Sequence, residues 1–288
     1  GEVIVRDALA RGIKVVPVPA ASACVTALAV SGQDTSRWVF EGFLPVNRKQ
    51  KKERLADLLH EKRTVIFYEA PHKLRTTLDD LTAAFGPERS MSRSEAAAIF
   101  ARLLSDRLDE RIPSGNNVKF KDIDPDMWYA GYVEYLTGYG VAVGYNDRTY
   151  RGDKAITRAE FTAMAARFFD VYGDGAEEIM EQYEGFDDVS DGYWAAEYIK
   201  DAAIHGWVEG YGDGTFRPNN PITRAEVTAI VNNMLGRAAD EDFVDEHTDE
   251  LTPFSDIEKH WAYYHIVEAT NDHDYTKPSS GENWTELN

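Results

Sequence analysis

Three stretches of this chain place apolar residues where a half-buried helix needs them, at i, i+3, i+4, i+7 and i+8. They are Ala96, Ile99, Phe100, Leu103 and Leu104; Phe161, Met164, Ala165, Phe168 and Phe169; and Val227, Ile230, Val231, Met234 and Leu235. Each stretch follows a capping-box pair: Ser92 with Glu95, Thr157 with Glu160, and Thr223 with Glu226. In such a box the hydroxyl accepts from the third helical amide, and the carboxylate accepts from the amide of the cap residue. Ile156 and Ile222 stand just before two of the caps, placed to staple onto Phe161 and Val227. A second pattern travels with the first: "FKDIDPDMW", "FDDVSDGYW" and "FSDIEKHW" end at Trp128, Trp194 and Trp261. The arginines after the caps, Arg93, Arg158 and Arg224, are 65 and 66 positions apart, and the tryptophans 66 and 67. Two markers with one period define an internal repeat.

One repeat reads through from Phe186. An Asp-rich loop leads into the helix "WAAEYIKDAAIHG", with Trp194, Tyr198, Ile199 and Ala202 on one face and Gly206 as its stop. The stretch "WVEGYGDGTFRPNNP" is dense in turn residues. The second helix then opens at Thr223. The predicted unit is helix, structured loop, helix.

The first 88 residues are patterned differently. "EVIVRDALARGI" predicts an amphipathic helix, "KVVPVP" a short buried strand, and "AASACVTALAVSG" a small-residue helix. "RWVFEGFLP" and "RTVIFYEA" read as strands, and "HKLRTTLDDLTAAFG" as a helix closed by Gly86. Helix and strand in alternation imply a layered α/β unit. "NRKQKKER", Asn47 to Arg54, reads as a basic loop, either solvated or contacting RNA phosphate.

Charge divides the chain at the same place. Residues 1–88 hold 13 Lys and Arg against 11 Asp and Glu; residues 89–288 hold 18 against 39. The acidic part argues against nucleic-acid binding there, since a phosphate backbone needs clustered cations. Cys24 is the single cysteine, which excludes an intrachain disulfide and a Cys-based zinc site. In "ASACVTALAV" it reads as a small buried residue rather than a nucleophile. No apolar run is long enough to suggest a membrane span. The chain opens at Gly1 without methionine or a charged-then-apolar leader, which marks an internal fragment, a processed product or a mis-joined reading frame.

The capping boxes account for the Thr, the Glu and the flanking apolar residues, but not for the arginine. A cation in the first helical turn opposes the helix dipole, at a cost of roughly 0.3–1 kcal/mol. Three such arginines in register point to an anion held by the guanidinium and by free helix-start amides. On this reading, losing Arg158 or Arg224 would weaken ligand binding and leave stability nearly unchanged. Arg93 would matter least, because its unit lacks its own Trp helix and glycine loop.

The residues Trp194-Ala195, Gly210-Tyr211-Gly212-Asp213-Gly214-Thr215-Phe216-Arg217-Pro218 and Ile222-Thr223-Arg224-Ala225-Glu226 resemble S-layer homology (SLH) repeats, over about residues 90–275. The resemblance implies a bacterial cell-surface module. It also implies a pseudo-threefold helical bundle whose grooves bind a pyruvylated secondary cell-wall polymer linked to peptidoglycan. No cofactor and no membrane insertion are expected of it. The binding residues it implies are Arg93, Arg158, Arg224, Glu160, Glu226, Trp128, Trp194, Trp261, Gly212 and Asp213. Departures are visible. The first unit keeps only its second helix, and the last keeps the Trp261 helix without a following T-R-A-E. Arg148 stands where Gly214 stands in the better copy. The terminal helix at Trp261 could complete the truncated first unit.

Val16-Pro17-Val18-Pro19 with Ser22-Ala23, Glu41-Gly42-Phe43-Leu44-Pro45, and Phe67-Tyr68-Glu69-Ala70-Pro71-His72 resemble the bacterial 16S rRNA (cytidine-2'-O)-methyltransferases of the tetrapyrrole methylase fold. That resemblance implies S-adenosylmethionine as methyl donor and rRNA as substrate, with Pro19, Ser22, Ala23, Tyr68 and Glu69 near the cofactor. His72 and Glu69 could pose as a general-base pair, but in the family this stretch lines a pocket. The glycine-rich cofactor loops would lie before Gly1, so independent methyl transfer and rRNA binding are not expected.

The expected fold class is therefore mixed: a partial α/β methylase-like unit over 1–88, then mainly α-helical SLH repeats. Their bounds are 89–117 for a truncated first repeat and linker, 118–182 and 183–250 for two repeats, and 251–288 for a partial repeat and tail. The favoured function is anchoring to the cell wall at the cell surface, fused to an inactive methyltransferase fragment. The alternative is a cytoplasmic S-adenosylmethionine-dependent 2'-O-methyltransferase of 16S rRNA cytidine. The two readings need different compartments, which suggests an accidental fusion.

Overall fold

The computed structural model describes residues 23–30, 36–59, 61, 63–173, 183–248, 250–251, 257–277 and 282–287. It is helix-rich with two small sheets and divides into two compact units, residues 1–84 and 85–288. The expected elements "EVIVRDALARGI" and "KVVPVP", with Pro19 and Ser22, lie outside the described residues.

In the first unit α1 (Ala23–Val30) precedes β1 (Trp38–Gly42), α2 (Arg48–Leu58), β2 (Thr64–Phe67) and α3 (Leu74–Phe85), which ends at the boundary. β1 and β2 pair in parallel with Trp38 opposite Thr64, so α2 is the crossover that parallel pairing requires. The strands and α3 stand where the pattern placed them. The basic segment does not: Arg48–Leu58 is a helix, not a loop. Asn47 caps it by accepting from the amides of Lys49 and Gln50. Its straight-chain Lys, Arg, Gln and Glu residues favour helix, and Leu55 and Leu58 give it a buried edge. Part of its charge is already paired, Arg54 with Glu41 and Lys51 with Asp80.

The second unit is built on three capped helices, α4 (Arg93–Leu108), α6 (Arg158–Tyr172) and α8 (Arg224–Leu235). Both halves of the capping box are formed at each. The apolar faces meet in one core, where Phe100 packs against Phe161 and Phe168 at ring distances of 5.3 and 4.9 Å. The segments before the caps are joined in a closed ring. The Met91 amide donates to Ile222 O (2.9 Å), the Ile222 amide to Ile156 O (3.0 Å), and the Ile156 amide to Met91 O (2.9 Å). Three short bridges, Ser90 with Thr223, Ser92 with Ala155 and Thr157 with Pro221, flank these bonds.

Each capped helix packs against the shorter helix that follows it. α5 (Ala130–Gly138) pairs with α4, and α7 (Ala196–Ile204) pairs with α6. Beyond the six-residue α9 (Glu241–Glu246), α10 (Tyr263–Thr270) pairs with α8, where the Asn232 side chain donates to His265 O at 2.9 Å. The terminal Trp261 helix thus serves the third capped helix rather than completing the first, whose face α5 already covers. The chain ends in an antiparallel hairpin, β3 (His273–Thr276) with β4 (Asn283–Leu287).

The loops between helices are set by aspartate. The Asp122 carboxylate accepts from the amides of Tyr150 and Arg151, and Asp188 accepts from those of Phe216 and Arg217. These aspartates, expected only to lead into a helix, clamp the glycine loop. Gly144 and Gly210 lie under the rings of Phe120 and Phe186, where a Cβ would collide. Gly214 has φ +81°, and Arg148 holds the same turn at φ +62°.

A left-handed residue with a Cβ costs roughly 1–2 kcal/mol, partly offset by glycine's greater freedom in the unfolded chain. Arg148→Gly is therefore expected to stabilise the second unit by about 0.5–1 kcal/mol in denaturant unfolding. An unchanged or lower midpoint would mean that this turn is not held left-handed.

Candidate functional site: two grooves between repeats

The arginine of each capping segment does not reach its own repeat. Arg93 extends into the loop before α6: its Nε donates to Tyr150 O and its Nη2 to Val143 O, both at 2.9 Å. Arg158 repeats this one unit on, donating from Nε to Phe216 O (3.0 Å) and from Nη2 to Glu209 O (3.1 Å). Their side chains are 5% and 7% exposed. Each guanidinium also faces the capping glutamate of the next helix, Arg93 to Glu160 at 3.4 Å and Arg158 to Glu226 at 3.0 Å. Tyr145 and Tyr211 complete the sets. Their hydroxyls donate to Glu160 and Glu226, and Arg93 and Arg158 lie over their rings at 4.9 and 5.0 Å.

These contacts settle the charges. Burial works to raise the Glu160 carboxyl. The Tyr145 hydroxyl, the Thr157 amide and the Arg93 charge outweigh it and hold the group below its ordinary value. Burial, then the bond to Glu226, pushes the Tyr211 phenol up.

Two grooves open on these clusters. One, of about 710 Å³, is lined by Arg158, Tyr211, Gly212, Glu226 and Trp261; the other, of about 590 Å³, by Arg93, Tyr145, Lys154, Glu160 and Trp194. Trp194 and Trp261 are 55% and 60% exposed. Periodicity had put Trp194 on the buried face with Ile199 and Ala202. The helix starts only at Ala196, so Trp194 stands before it, and Ile199 and Ala202 alone are buried. Trp128 is half-exposed beside Ile112 and Pro113, in a smaller hollow.

Several expectations change. The helix-start amides are not free. Those of Arg93 and Ser94 donate to Lys154 O and Gly152 O, those of Arg158 and Ala159 to Asn220 O and Pro218 O, and those of Arg224 and Ala225 to Arg89 O and Pro87 O. An anion in these grooves would meet side chains, not a helix terminus. Arg93 lines a full groove, because the loop it needs belongs to the next repeat. Arg224 lines neither groove and donates to Phe85 O, while Glu95 is paired by Arg89 at 2.6 Å. The neighbouring loop that Arg224 would enter has been replaced by residues 85–89. Asp213 binds Thr215 and Arg217, which hold its carboxyl down at about 2, so it shapes the loop. Tyr145 and Tyr211 were missed as site residues, although they recur 66 positions apart within the glycine loops.

Two of the residues expected near a methyl donor, Tyr68 and Glu69, already have hydrogen-bond partners. Glu69 accepts from the Ala70 amide and the Thr77 hydroxyl, and Tyr68 accepts from the Cys24 amide. The Thr77 hydroxyl, then the Ala70 amide, lowers the Glu69 carboxyl. Ala23 is exposed at the start of α1.

Comparison with known proteins divides the chain in the same way. The S-layer homology domain family matches residues 119–162 and 185–228. The Tetrapyrrole (Corrin/Porphyrin) Methylases match residues 2–102, past the unit boundary and into α4. A cellulosome-anchoring protein of Acetivibrio thermocellus is 36% identical over 201 residues, covering 69% of this chain and 42% of that protein. Cell surface glycoprotein 1 of the same organism is 34% identical over 71% of this chain and 9% of its own length. Ribosomal RNA small subunit methyltransferase I of Xylella fastidiosa is 45% identical over 109 residues, 38% of this chain and 40% of that enzyme. The chain spans less than half the length of each of these relatives.

Removing a buried arginine strands two carbonyls and a carboxylate, so Arg93→Ala and Arg158→Ala are each expected to cost about 3 kcal/mol in denaturant unfolding. Arg224→Ala, at an exposed position, should cost less than about 1 kcal/mol. Equal losses at all three positions would contradict the reading of two formed grooves.

Proposed function

We propose that this chain, which carries S-layer homology domain repeats and a tetrapyrrole methylase domain, is a cell-surface anchoring module for an anionic secondary cell-wall polysaccharide. The observation that carries this reading is the recurrence, in both grooves, of an exposed tryptophan beside a buried arginine joined to a part-buried Glu–Tyr pair. The indole offers an apolar face on which a sugar ring can stack, and the cluster fixes polar groups beneath it. Arg158 spends three of its five N–H donors on Phe216, Glu209 and Glu226, which leaves two for a ligand. Arg167 and Lys154 add positive charge to one groove, and Arg217 to the other. A pyruvyl carboxylate on the polymer is the acidic group such a site suits. The ring through Met91, Ile156 and Ile222 supports a pseudo-threefold arrangement, in which Arg224 lines neither of the two grooves described.

The methylase-like segment is read as inactive, since Tyr68 and Glu69 of its expected cofactor site are already bonded within the segment, to Cys24 and to Ala70 and Thr77. S-adenosylmethionine is the donor that its family implies if the segment is active. The similarity to an rRNA methyltransferase favours the second reading, a 16S rRNA methylating enzyme of the cytoplasm.

Pull-down of the whole chain with purified cell-wall sacculi tests the proposal. Binding should fall at least about tenfold when the acidic substituent is stripped from the polymer, the loss expected for one charge-assisted hydrogen bond. Trp194→Ala with Trp261→Ala should weaken it further. Undiminished binding after stripping, joined to S-adenosylmethionine binding in calorimetry, would favour the enzyme reading.

A further inference from the structure

A buried ionisable cluster lies outside the two grooves. Glu268 near the end of α10, His273 at the start of β3 and Glu282 just before β4 meet where the terminal hairpin folds back. Their side chains are at most 1% exposed. His273 Nε2 lies 3.6 Å from Glu268 Oε2 and 3.5 Å from Glu282 Oε2, too far for hydrogen bonds. All four glutamate oxygens are buried without a hydrogen-bond donor among the described residues.

The tautomer of His273 follows from its partners. Its Nδ1 lies 3.0 Å from Asn271 O, an atom that can only accept, so Nδ1 carries the proton. Nε2 then presents a lone pair toward the two Oε2 atoms, and Arg237 Nη2, 3.4 Å away, can only donate to it. Arg237 also lies against the carboxylates, its Nη2 2.7 Å from Glu268 Oε1 and its Nε 3.5 Å from Glu282 Oε1, without hydrogen-bond angles. The Oε1 atoms face the guanidinium and the Oε2 atoms face the imidazole. One arginine faces two buried carboxylates, so the cluster holds fewer cations than anions.

We propose that Glu268 Oε2, His273 Nε2 and Glu282 Oε2 bind one divalent cation of the zinc type. Tetrahedral ligands at the usual 2.0–2.2 Å from zinc stand roughly 3.3–3.6 Å apart, which the two separations from His273 Nε2 match. One imidazole nitrogen with two carboxylate oxygens suits zinc, whereas calcium and magnesium ask for six or more oxygens. The Asn271 carbonyl on Nδ1 and Arg237 on the Oε1 atoms are the outer partners that orient such ligands. The cation would clasp the terminal hairpin to α10. Trp284, stacked on His273 at 3.7 Å, would report it.

The test uses the full chain, stripped with chelator and titrated with Zn²⁺ alone. Calorimetry and metal analysis after gel filtration should give about one equivalent per chain, with a melting temperature that rises with Zn²⁺ but not with Mg²⁺. Trp fluorescence should change on titration, and Trp284→Phe should remove that change. His273→Ala and Glu282→Gln should take uptake from one equivalent to none. Since either could loosen the hairpin, His273→Cys, which keeps a zinc ligand, should restore the equivalent. No stoichiometric uptake by the unaltered chain, or uptake that survives His273→Ala, would overturn the proposal.

Discussion

Three backbone hydrogen bonds, passed in a ring from Met91 to Ile222 to Ile156 and back, set the geometry of the second unit. They hold the three capping segments against one another, so each helix starts beside the loop of a neighbouring repeat. The arginine that opens a helix then has only that loop to enter. Its position against the helix dipole costs a few tenths to 1 kcal/mol. Two carbonyl acceptors and a facing glutamate offset this and the larger desolvation of a buried cation. The arginines look misplaced within one helix and well placed between repeats.

Function follows from the same constraint. A groove needs an arginine from one repeat, a glycine loop and capping glutamate from the next, and the tryptophan that precedes the following helix. Arg93 and Arg158 find all of these. Arg224 finds residues 85–89, which supply the carbonyls for its helix start but no glycine loop. The methylase-like match runs through this stretch to residue 102. Its Pro87 and Arg89 carbonyls act as Pro218 and Asn220 do elsewhere in the ring.

What the sequence made legible is local. Capping boxes, helix faces, turn glycines and the period are each written within a few residues, and the structure carries them. The arginine contacts join residues 50 to 58 positions apart, and no single-helix pattern encodes them. Asp122 and Asp188 looked like helix entries because their partners lie 28 and 29 positions on. The basic stretch after Asn47 reads as a loop by its charge, but its helix propensity and the Asn47 cap outweigh that charge. Periodicity counted from Trp194 places it on the core face, but the helix begins only at Ala196. The Glu268–His273–Glu282 cluster left no trace, because its members come from three elements with no shared spacing.

Native-state hydrogen exchange at the amides of Met91, Ile156 and Ile222 tests the ring most directly. If the three bonds lock the unit, these amides exchange together, in the slowest class, at the rate set by global unfolding of residues 85–288. Exchange of the Met91 amide orders of magnitude faster than the other two would contradict the account. It would mean that the first capping segment is not held, and that Arg93 does not build a groove.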